Sequence, residues 1–237
     1  MPKQKGRLFL LPSPIQENAL DGIPHEVIQI MHSLDYFIVE RARTARRYLS
    51  ATKLIKAIDS LSMEEIPEET QKEKDIERFL QPAVDGKDIG LMSEAGLPAI
   101  ADPGNIYVRS AHRLGIKVIP LSGASSIMMA LMGSGLEGQR FAFHGYLSAK
   151  KDELSVQLKE LEKRADQDDA TQIFMETPYR NKQVLEAVGK KLDARRQFCI
   201  AANLGSDDSF VMTKEISEWK KSGWPEIHKV PAVFLIR

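Results

Sequence analysis

The sequence predicts an α/β protein built from two α/β domains, and three observations carry this prediction. Short apolar runs of strand length alternate with segments whose apolar residues recur at helical spacing. The second half contains more of these strand-like runs than the first. The 237 residues, of which 43% are hydrophobic, can form the cores of two small domains.

The first half alternates strands and helices, which favours a mostly parallel sheet with helices on both faces. Its predicted strands are residues 7–11, 36–40, 89–92 and 117–121. Its segments of helical periodicity are residues 25–34, 74–84, 105–115 and 125–135. The acid-rich segment 62–75 predicts a solvated surface helix or loop.

The pattern restarts after Gly138, and the second half predicts a mixed sheet because only two helical segments separate its strands. The predicted strands are residues 140–147, 171–176, 196–204, 209–216 and 230–236. The helical segments are residues 150–165 and 181–192. We place the boundary near Glu137, which divides the chain into an N-terminal domain 1–136 and a C-terminal domain 137–237.

Charge and apolar segments limit the function classes. Thirty-three basic residues balance thirty-three acidic ones, so any nucleic-acid partner must be held by local patches. Cys199 is the only cysteine and is interpreted as a buried core residue. The N-terminal apolar run is too short for a signal peptide, and residues 116–136 are interrupted by Pro120 and Gly123. We therefore expect a cytoplasmic protein that does not enter the membrane.

Three loops of small, turn-forming residues follow strands of the first half. They are residues 12–18, 93–105 and 120–126. Ligands of parallel α/β sheets collect where strands end, so the three loops predict a small-molecule cleft. The alternative for each loop is an ordinary connection between a strand and a helix.

Common nucleotide, metal and nucleophile motifs do not account for this cleft. Residues 133–138 match G-x-G-x-x-G, but a predicted helix precedes them and a predicted strand follows, the reverse of a dinucleotide fold. The five histidines lack metal-ligand spacing, so no metal site is predicted. Ser125 lacks the G-x-S-x-G context of a nucleophile and is interpreted as the start of a helix.

Six motifs in order along the chain resemble those of the tetrapyrrole methylase superfamily, the class III S-adenosylmethionine-dependent methyltransferases. They are LLPSPI, VERARTARRYL, SEAGLPAIADPG, IPLSGASS, FAFHGYLSAKK and METPYRN. The most similar branch methylates a ribose 2′-hydroxyl of a cytidine in ribosomal RNA. The resemblance implies two α/β domains with S-adenosylmethionine in the cleft between them, and a homodimer.

By position in these motifs, the resemblance assigns cofactor-binding residues to all three loops and to one strand end of the second half. They are Pro14, Ile15, Ser93, Glu94, Ala95, Gly96, Gly123, Ala124, Ser125, Ser126, Met175, Glu176 and Thr177. Asp102 is either a turn residue or a direct ligand.

The resemblance also assigns two catalytic candidates, Glu40 and Arg43. Glu40 matches a glutamate of the family and is our candidate base, because a ribose hydroxyl is a poor nucleophile while protonated. Arg43, with Arg41, Arg46 and Arg47, forms a basic patch suited to phosphate. Alternatively, Glu40 simply pairs with an arginine on a solvated helix face. Lys150 and Lys151 either extend the patch or cap a helix.

The chain departs from the family pattern at five named positions. Gln16 stands where the family has glycine, and Glu94 where it has aspartate. Arg41 and Ala42 replace Asp-Thr, and Ser122 replaces a proline. The chain also ends without the extra C-terminal segment of the rRNA enzymes. These departures concern the substrate more than the fold.

Three functions therefore stay open. The first is methylation of ribosomal RNA, and the second is methylation of a small molecule such as a tetrapyrrole. The third is a catalytically inactive protein that binds S-adenosylmethionine. Arginines of residues 41–47 around the mouth of the cleft would favour RNA, whereas arginines paired with the acids of residues 64–77 would favour the other two.

Overall fold

The computed structural model describes residues 4–16, 19–67 and 73–237. The chain forms two compact units, Met1–Ser125 and Ser126–Arg237. Each unit has its own five-stranded sheet, one entirely parallel and the other mixed. The predicted α/β class with a parallel N-terminal and a mixed C-terminal sheet is therefore confirmed.

The first unit is a parallel sheet with the strand order β3-β2-β4-β1-β5. The strands are β1 (Arg7–Leu11), β2 (Tyr36–Val39), β3 (Ser62–Glu65), β4 (Ile89–Met92) and β5 (Lys117–Pro120). The helices are α1 (His25–Ser33), α2 (Ala42–Ala51), α3 (Glu73–Val84) and α4 (Asn105–Arg113).

Helices cover both faces of this sheet because side chains alternate along each strand. In β1, Leu8 packs with α3 and α4, whereas Phe9 packs with α1 and α2. Val27 of α1 and Tyr107 of α4 are buried in these two separate cores. Burial on both faces explains why the central strands appear in the sequence as continuous apolar runs.

Strand β3 lies in the acid-rich segment 62–75, for which the sequence predicted a helix or loop, and this prediction is wrong for residues 62–65. They pair in parallel with β2, from Tyr36 opposite Ser62 to Val39 opposite Glu65. β3 is an edge strand and mostly exposed, so apolar periodicity does not reveal it. Residues 68–72 of the same segment lie outside the described residues.

The second unit has the strand order β6-β7-β10-β8-β9, in which only β6 and β7 are parallel. Its strands are β6 (Phe141–Tyr146), β7 (Thr171–Glu176), β8 (Gln197–Ala202), β9 (Phe210–Glu215) and β10 (Ala232–Ile236). Its helices are α5 (Ser126–Ser134), α6 (Lys151–Gln167), α7 (Asn181–Lys191) and α8 (Ile216–Ser222).

Two features of this unit add to the sequence prediction. Helix α8 was not predicted because it has only seven residues; its Trp219 indole donates to the carbonyl of Phe198 at 2.9 Å. Cys199 is fully buried in β8, as predicted, and burial raises the pKa of its thiol to about 11.

Helix α5 packs on the second sheet. The hydroxyl of Thr213 donates to the carbonyl of Ser134 at 2.7 Å, and Gly133 lies against Val211. The compact units therefore divide before α5, whereas the sequence places the domain boundary after it, near Glu137. Which position begins an independently folding domain stays a prediction.

Candidate active site

Three loops follow the neighbouring strands β1, β4 and β5 at the same edge of the first sheet. We call them the first loop (residues 12–16), the second loop (93–104) and the third loop (121–125). Because the strands are parallel and adjacent, their carboxyl ends lie side by side. Residues 17 and 18, predicted as part of the first loop, lie outside the described residues.

The first and second loops are joined by hydrogen bonds. The Ser13 N–H donates to the Gly96 carbonyl at 2.8 Å, and the Gly96 N–H donates back to the Ser13 carbonyl at 3.0 Å. The Ser13 hydroxyl donates to the carbonyl of Ser93 at 2.7 Å. These bonds hold the predicted residues Ser93 and Gly96 beside the first loop.

The third loop approaches the same point, and glycine makes that approach possible. A Cβ on Gly123 would lie 2.2 Å from the Cβ of Pro12, which leaves no room for a side chain. A Cβ on Gly96 would lie 3.8 Å from both the Ala124 carbonyl oxygen and Ile15. All three loops therefore meet, and they bring together the predicted cofactor residues of the first unit.

The second loop is a constrained turn built around Asp102. Asp102 Oδ1 accepts hydrogen bonds from the N–H groups of Ala99 at 3.0 Å and Gly104 at 2.6 Å. Ala99 and Ala101 have φ angles of 67° and 61°, a conformation unusual for residues with a side chain. Burial raises the pKa of Asp102 despite these hydrogen bonds. Asp102 shapes the turn, the first of its two expected roles.

A pocket of about 160 Å³ opens between the first loop, α2 and the start of the second loop. Five of the predicted cofactor residues line it. They are Pro14, Ile15, Ser93, Glu94 and Ala95. Gln16, one of the departures from the family pattern, lines it as well.

One face of α2 forms the opposite wall of this pocket, which sequence reasoning did not identify. Thr44, Ala45, Tyr48 and Ala51 line it, together with Arg47. Positions 44, 48 and 51 are spaced four and three residues apart, so they lie on the same face of a helix. This spacing could have predicted a helix face that lines a pocket. The prediction used the charge of the four arginines between residues 41 and 47 instead.

Glu40 lies at the end of β2, next to the second loop. Its Oε2 accepts a hydrogen bond from the backbone N–H of Glu94 at 3.0 Å. Burial raises the pKa of this half-buried carboxyl, and the hydrogen bond opposes that effect. A carboxyl with a raised pKa is better suited to accept a proton near neutral pH than an exposed one. Glu40 therefore keeps its place as the candidate base.

The arginines around α2 divide between two environments. Arg41 forms an ion pair with Glu65 at 3.7 Å, and Glu65 Oε2 also accepts the N–H of Ala42 at 2.7 Å. Glu65 thus caps the start of α2, a role that sequence reasoning missed. Arg43 and Arg46 are exposed on α2, and Arg43 does not line the pocket.

The remaining predicted residues belong to the second unit. Ser126 is the first residue of α5, and Met175 and Glu176 end β7 before the exposed Thr177. Glu176 is buried, and its carboxylate forms an ion pair with Arg180. Its Oε1 also accepts the N–H of Thr177 at 2.6 Å. These contacts give Glu176 a structural task within its own unit.

Other candidate groups in the described residues are occupied locally or do not cluster. Lys150 pairs with Glu153 at 2.8 Å, and Lys151 begins α6. Across residues 4–16, 19–67 and 73–237, no three or more His, Cys, Asp and Glu side chains gather as metal ligands would. None of the helices in these ranges has the length and apolar character that a membrane crossing requires.

Two curated proteins that are similar in sequence carry the same name. The chain is 33% identical over 190 residues to ribosomal RNA small subunit methyltransferase I of Bacillus subtilis (strain 168). The aligned region covers 80% of this chain and 61% of that protein. The chain is 28% identical over 227 residues to the protein of that name from Escherichia coli O157:H7, covering 96% and 70%. The chain thus spans about three fifths of the length of the Bacillus relative. No protein-family model matches.

Two solved structures with the same fold are a methyltransferase and a synthase. The crystal structure of the methyltransferase CobJ matches with a TM-score of 0.64 and 17% identity, over 98% of this chain and 93% of that chain. The crystal structure of diphthine synthase matches with a TM-score of 0.67 and 16% identity, over 98% and 89%. Together with the sequence relatives, this fold confirms the resemblance to the tetrapyrrole methylase superfamily that the motifs predicted.

Proposed function

We propose that this protein is an S-adenosylmethionine-dependent methyltransferase that acts on a ribose 2′-hydroxyl of ribosomal RNA. The observation that carries the proposal is the meeting of the three loops at one edge of the first sheet, beside Glu40. The shared name of the sequence relatives supports both the reaction and the RNA acceptor.

The loop junction fits a nucleoside-containing cofactor. Gly96 has a φ of +73° and no side chain, so its backbone is open to close approach by a ligand. Asp102 Oδ2 is buried and has no hydrogen-bond partner among the described residues, so it can accept a bond from a ligand. The residues that would hold the cofactor in the first unit are Gly96 and residues 123–125. The cofactor roles of Ser126 and residues 175–177 stay predictions of the resemblance.

The reaction needs alignment and one proton acceptor from the protein. S-adenosylmethionine supplies a methyl group activated by a sulfonium. Glu40 would accept the proton of the ribose hydroxyl, so that the oxygen could bond to the methyl carbon as the bond from that carbon to sulfur breaks and S-adenosylhomocysteine leaves. The Glu94 N–H holds the Glu40 carboxylate in place.

The arrangement of arginines supports RNA over a small acceptor. Arg41 is paired with Glu65, which belongs to the acidic segment that was to distinguish the alternatives. Arg47 lines the pocket beside α2, and Arg43 and Arg46 are exposed on the same helix. Cations at the edge of a pocket can bind the phosphates that flank a target nucleotide.

The proposal extends to assembly and location. We propose a homodimer, as the resemblance implies, and a cytoplasmic location, where a ribosomal substrate is found. The alternatives are a small-molecule methyltransferase and an inactive binding protein. Each predicts a different result in the experiment below.

The test is calorimetric titration with S-adenosylmethionine and S-adenosylhomocysteine, followed by transfer of a labelled methyl group to small-subunit rRNA. Gly96→Trp places a side chain at the loop junction and should abolish binding. Gly138→Trp is the matched control, because a Cβ there meets nothing within 4 Å. A folded parent that binds neither ligand would overturn the proposal. Binding without transfer to RNA would favour one of the two alternatives.

A further inference from the structure

We propose that the pocket beside α2 is the subsite for one unstacked nucleobase of the acceptor RNA, and that Glu94 selects that base. This inference rests on the proposed function and deepens it. It also separates the pocket from the cofactor site, to which the resemblance assigned five of the pocket residues.

The size of the pocket suits a single aromatic ring. Its volume of about 160 Å³ is close to that of an engineered cavity of about 150 Å³ that binds benzene. Pockets that enclose a drug-sized ligand measure roughly 300–1,000 Å³. A cofactor made of a nucleoside and an amino acid is of that larger class. The enclosed part of the pocket is therefore large enough for one six-membered ring.

The walls of the pocket suit a flat ring. Ile15 and Leu20 contribute apolar surface from one side, and Ala45 and Ala51 of α2 lie on the other. The two alanines leave open the space that larger side chains would fill. The Tyr48 hydroxyl donates to the Pro12 carbonyl at 3.0 Å, which fixes this aromatic side chain in the wall. Unstacked bases are commonly bound against aromatic and apolar side chains in this way.

The polar residues of the pocket supply base selection. Two hydrogen bonds hold Glu94 in position. Its Oε1 accepts one from the Thr44 hydroxyl at 3.1 Å, and its backbone N–H donates one to Glu40. A carboxylate accepts a hydrogen bond from the exocyclic amine of cytosine but repels the carbonyl oxygen that uracil presents there.

A further observation connects this pocket with acceptor choice. The pocket wall is one hydrogen bond from the candidate base, through the Glu94 N–H and Glu40 Oε2. A base held there places its nucleotide beside Glu40.

The experiment measures RNA and cofactor binding separately in the full chain. Ala51→Trp fills the pocket, and Ser50→Trp adds the same side chain at the adjacent, exposed position of α2. Fluorescence anisotropy follows a labelled oligocytidylate, and calorimetry follows S-adenosylhomocysteine. We expect Ala51→Trp to weaken oligocytidylate binding at least about tenfold, with S-adenosylhomocysteine affinity unchanged. Ser50→Trp should change neither affinity.

Glu94→Gln is a second variant that conserves size. We expect the parent to prefer oligocytidylate over oligouridylate, and this variant to reduce that preference roughly tenfold, because an amide can donate to a carbonyl oxygen. An unchanged preference would overturn the role of Glu94.

Two results would overturn the subsite itself. One is a folded Ala51→Trp protein that binds oligocytidylate as the parent does. The other is loss of S-adenosylhomocysteine binding in that variant with RNA binding retained, which would return the pocket to the cofactor. If the parent binds oligocytidylate but not S-adenosylhomocysteine, the proposed methyltransferase function is overturned. Oligocytidylate binding by Ala51→Trp then still tests whether the pocket is a base subsite.

Discussion

The carboxylate of Glu40 accepts a hydrogen bond from the backbone N–H of Glu94, with 3.0 Å between Oε2 and N. This bond joins the end of β2 to the second loop, so the candidate base and the predicted cofactor loop are held together. Burial raises the pKa of Glu40, which makes the group a better proton acceptor at neutral pH. The relationship leads to two predictions about activity and stability.

Glu40→Gln should lower kcat for methyl transfer by about 10²–10⁴-fold, because an amide cannot accept the hydroxyl proton. The amide oxygen can still accept a hydrogen bond from the Glu94 N–H, so affinity for S-adenosylhomocysteine should be retained.

In the parent, kcat should fall as pH decreases through the raised Glu40 pKa, because the carboxylate becomes protonated. Steady-state kinetics across pH measure both effects. Turnover equal to that of the parent would remove Glu40 from the mechanism; Glu64→Gln, at an exposed position, is the control.

Glu40 should also make stability depend on pH. Its pKa in the folded state lies above its unfolded value, so the folded protein keeps a proton that the unfolded chain has released. The free energy of unfolding should therefore decrease as pH rises from the ordinary glutamate pKa through the folded-state value. Urea titrations should show Glu40→Gln gaining stability relative to the parent over that window. A difference that stays constant with pH would contradict this linkage.

Gly123→Ala should destabilise the protein by about 1–3 kcal/mol, because the new methyl group overlaps Pro12 and one loop must move. Urea denaturation measures the loss. Gly138→Ala is the matched control, and it should change stability by less than about 0.5 kcal/mol because its Cβ meets nothing within 4 Å. Equal effects of the two substitutions would show that the close approach of Gly123 to Pro12 has no energetic weight.

Glu65→Ala should reduce stability by about 1 kcal/mol, because it removes the acceptor for the first N–H of α2 and the ion-pair partner of Arg41. Glu64→Ala removes a neighbouring exposed carboxylate and should stay within about 0.5 kcal/mol of the parent. Thermal or urea melts of the two variants provide the comparison. A Glu64→Ala loss as large as that of Glu65→Ala would argue against the cap.

Cys199 should resist alkylation in the native protein. Its thiol is fully buried, and its pKa of about 11 leaves little thiolate at neutral pH. Iodoacetamide labelling followed by mass spectrometry should show one modified cysteine only after denaturant unfolds the chain. Labelling of the folded protein at the rate of a free thiol would show that the core of the second unit opens readily.

The strands and helices that the sequence identified are those with a continuous periodic signal. β1, β4 and β10 appear as apolar runs because each is buried on both faces of its sheet. β3 was missed because an edge strand with exposed acids has no such signal, and only its pairing with β2 makes it a strand. Helix α8 was missed because its seven residues are too few to establish a period.

Only part of the candidate site could be predicted from the sequence, for the same reason. Ordered motifs were enough to locate the second loop and Glu40, and the sequence relatives support the family to which those motifs belong. The roles of Tyr48, Thr44 and Glu65 could not be predicted, because each depends on a contact between residues far apart in the chain. Their partners are Pro12, Glu94 and the start of α2.

The sequence by itself determined the α/β class, the buried strands and the resemblance to the superfamily, because local periodicity and short motifs are written in neighbouring residues. Tertiary structure alone decided that α5 packs on the second sheet, that Gly123 must be glycine, and that Gln16 and Glu94 line one pocket. These outcomes depend on distances across the sheet and between loops, which no local pattern encodes.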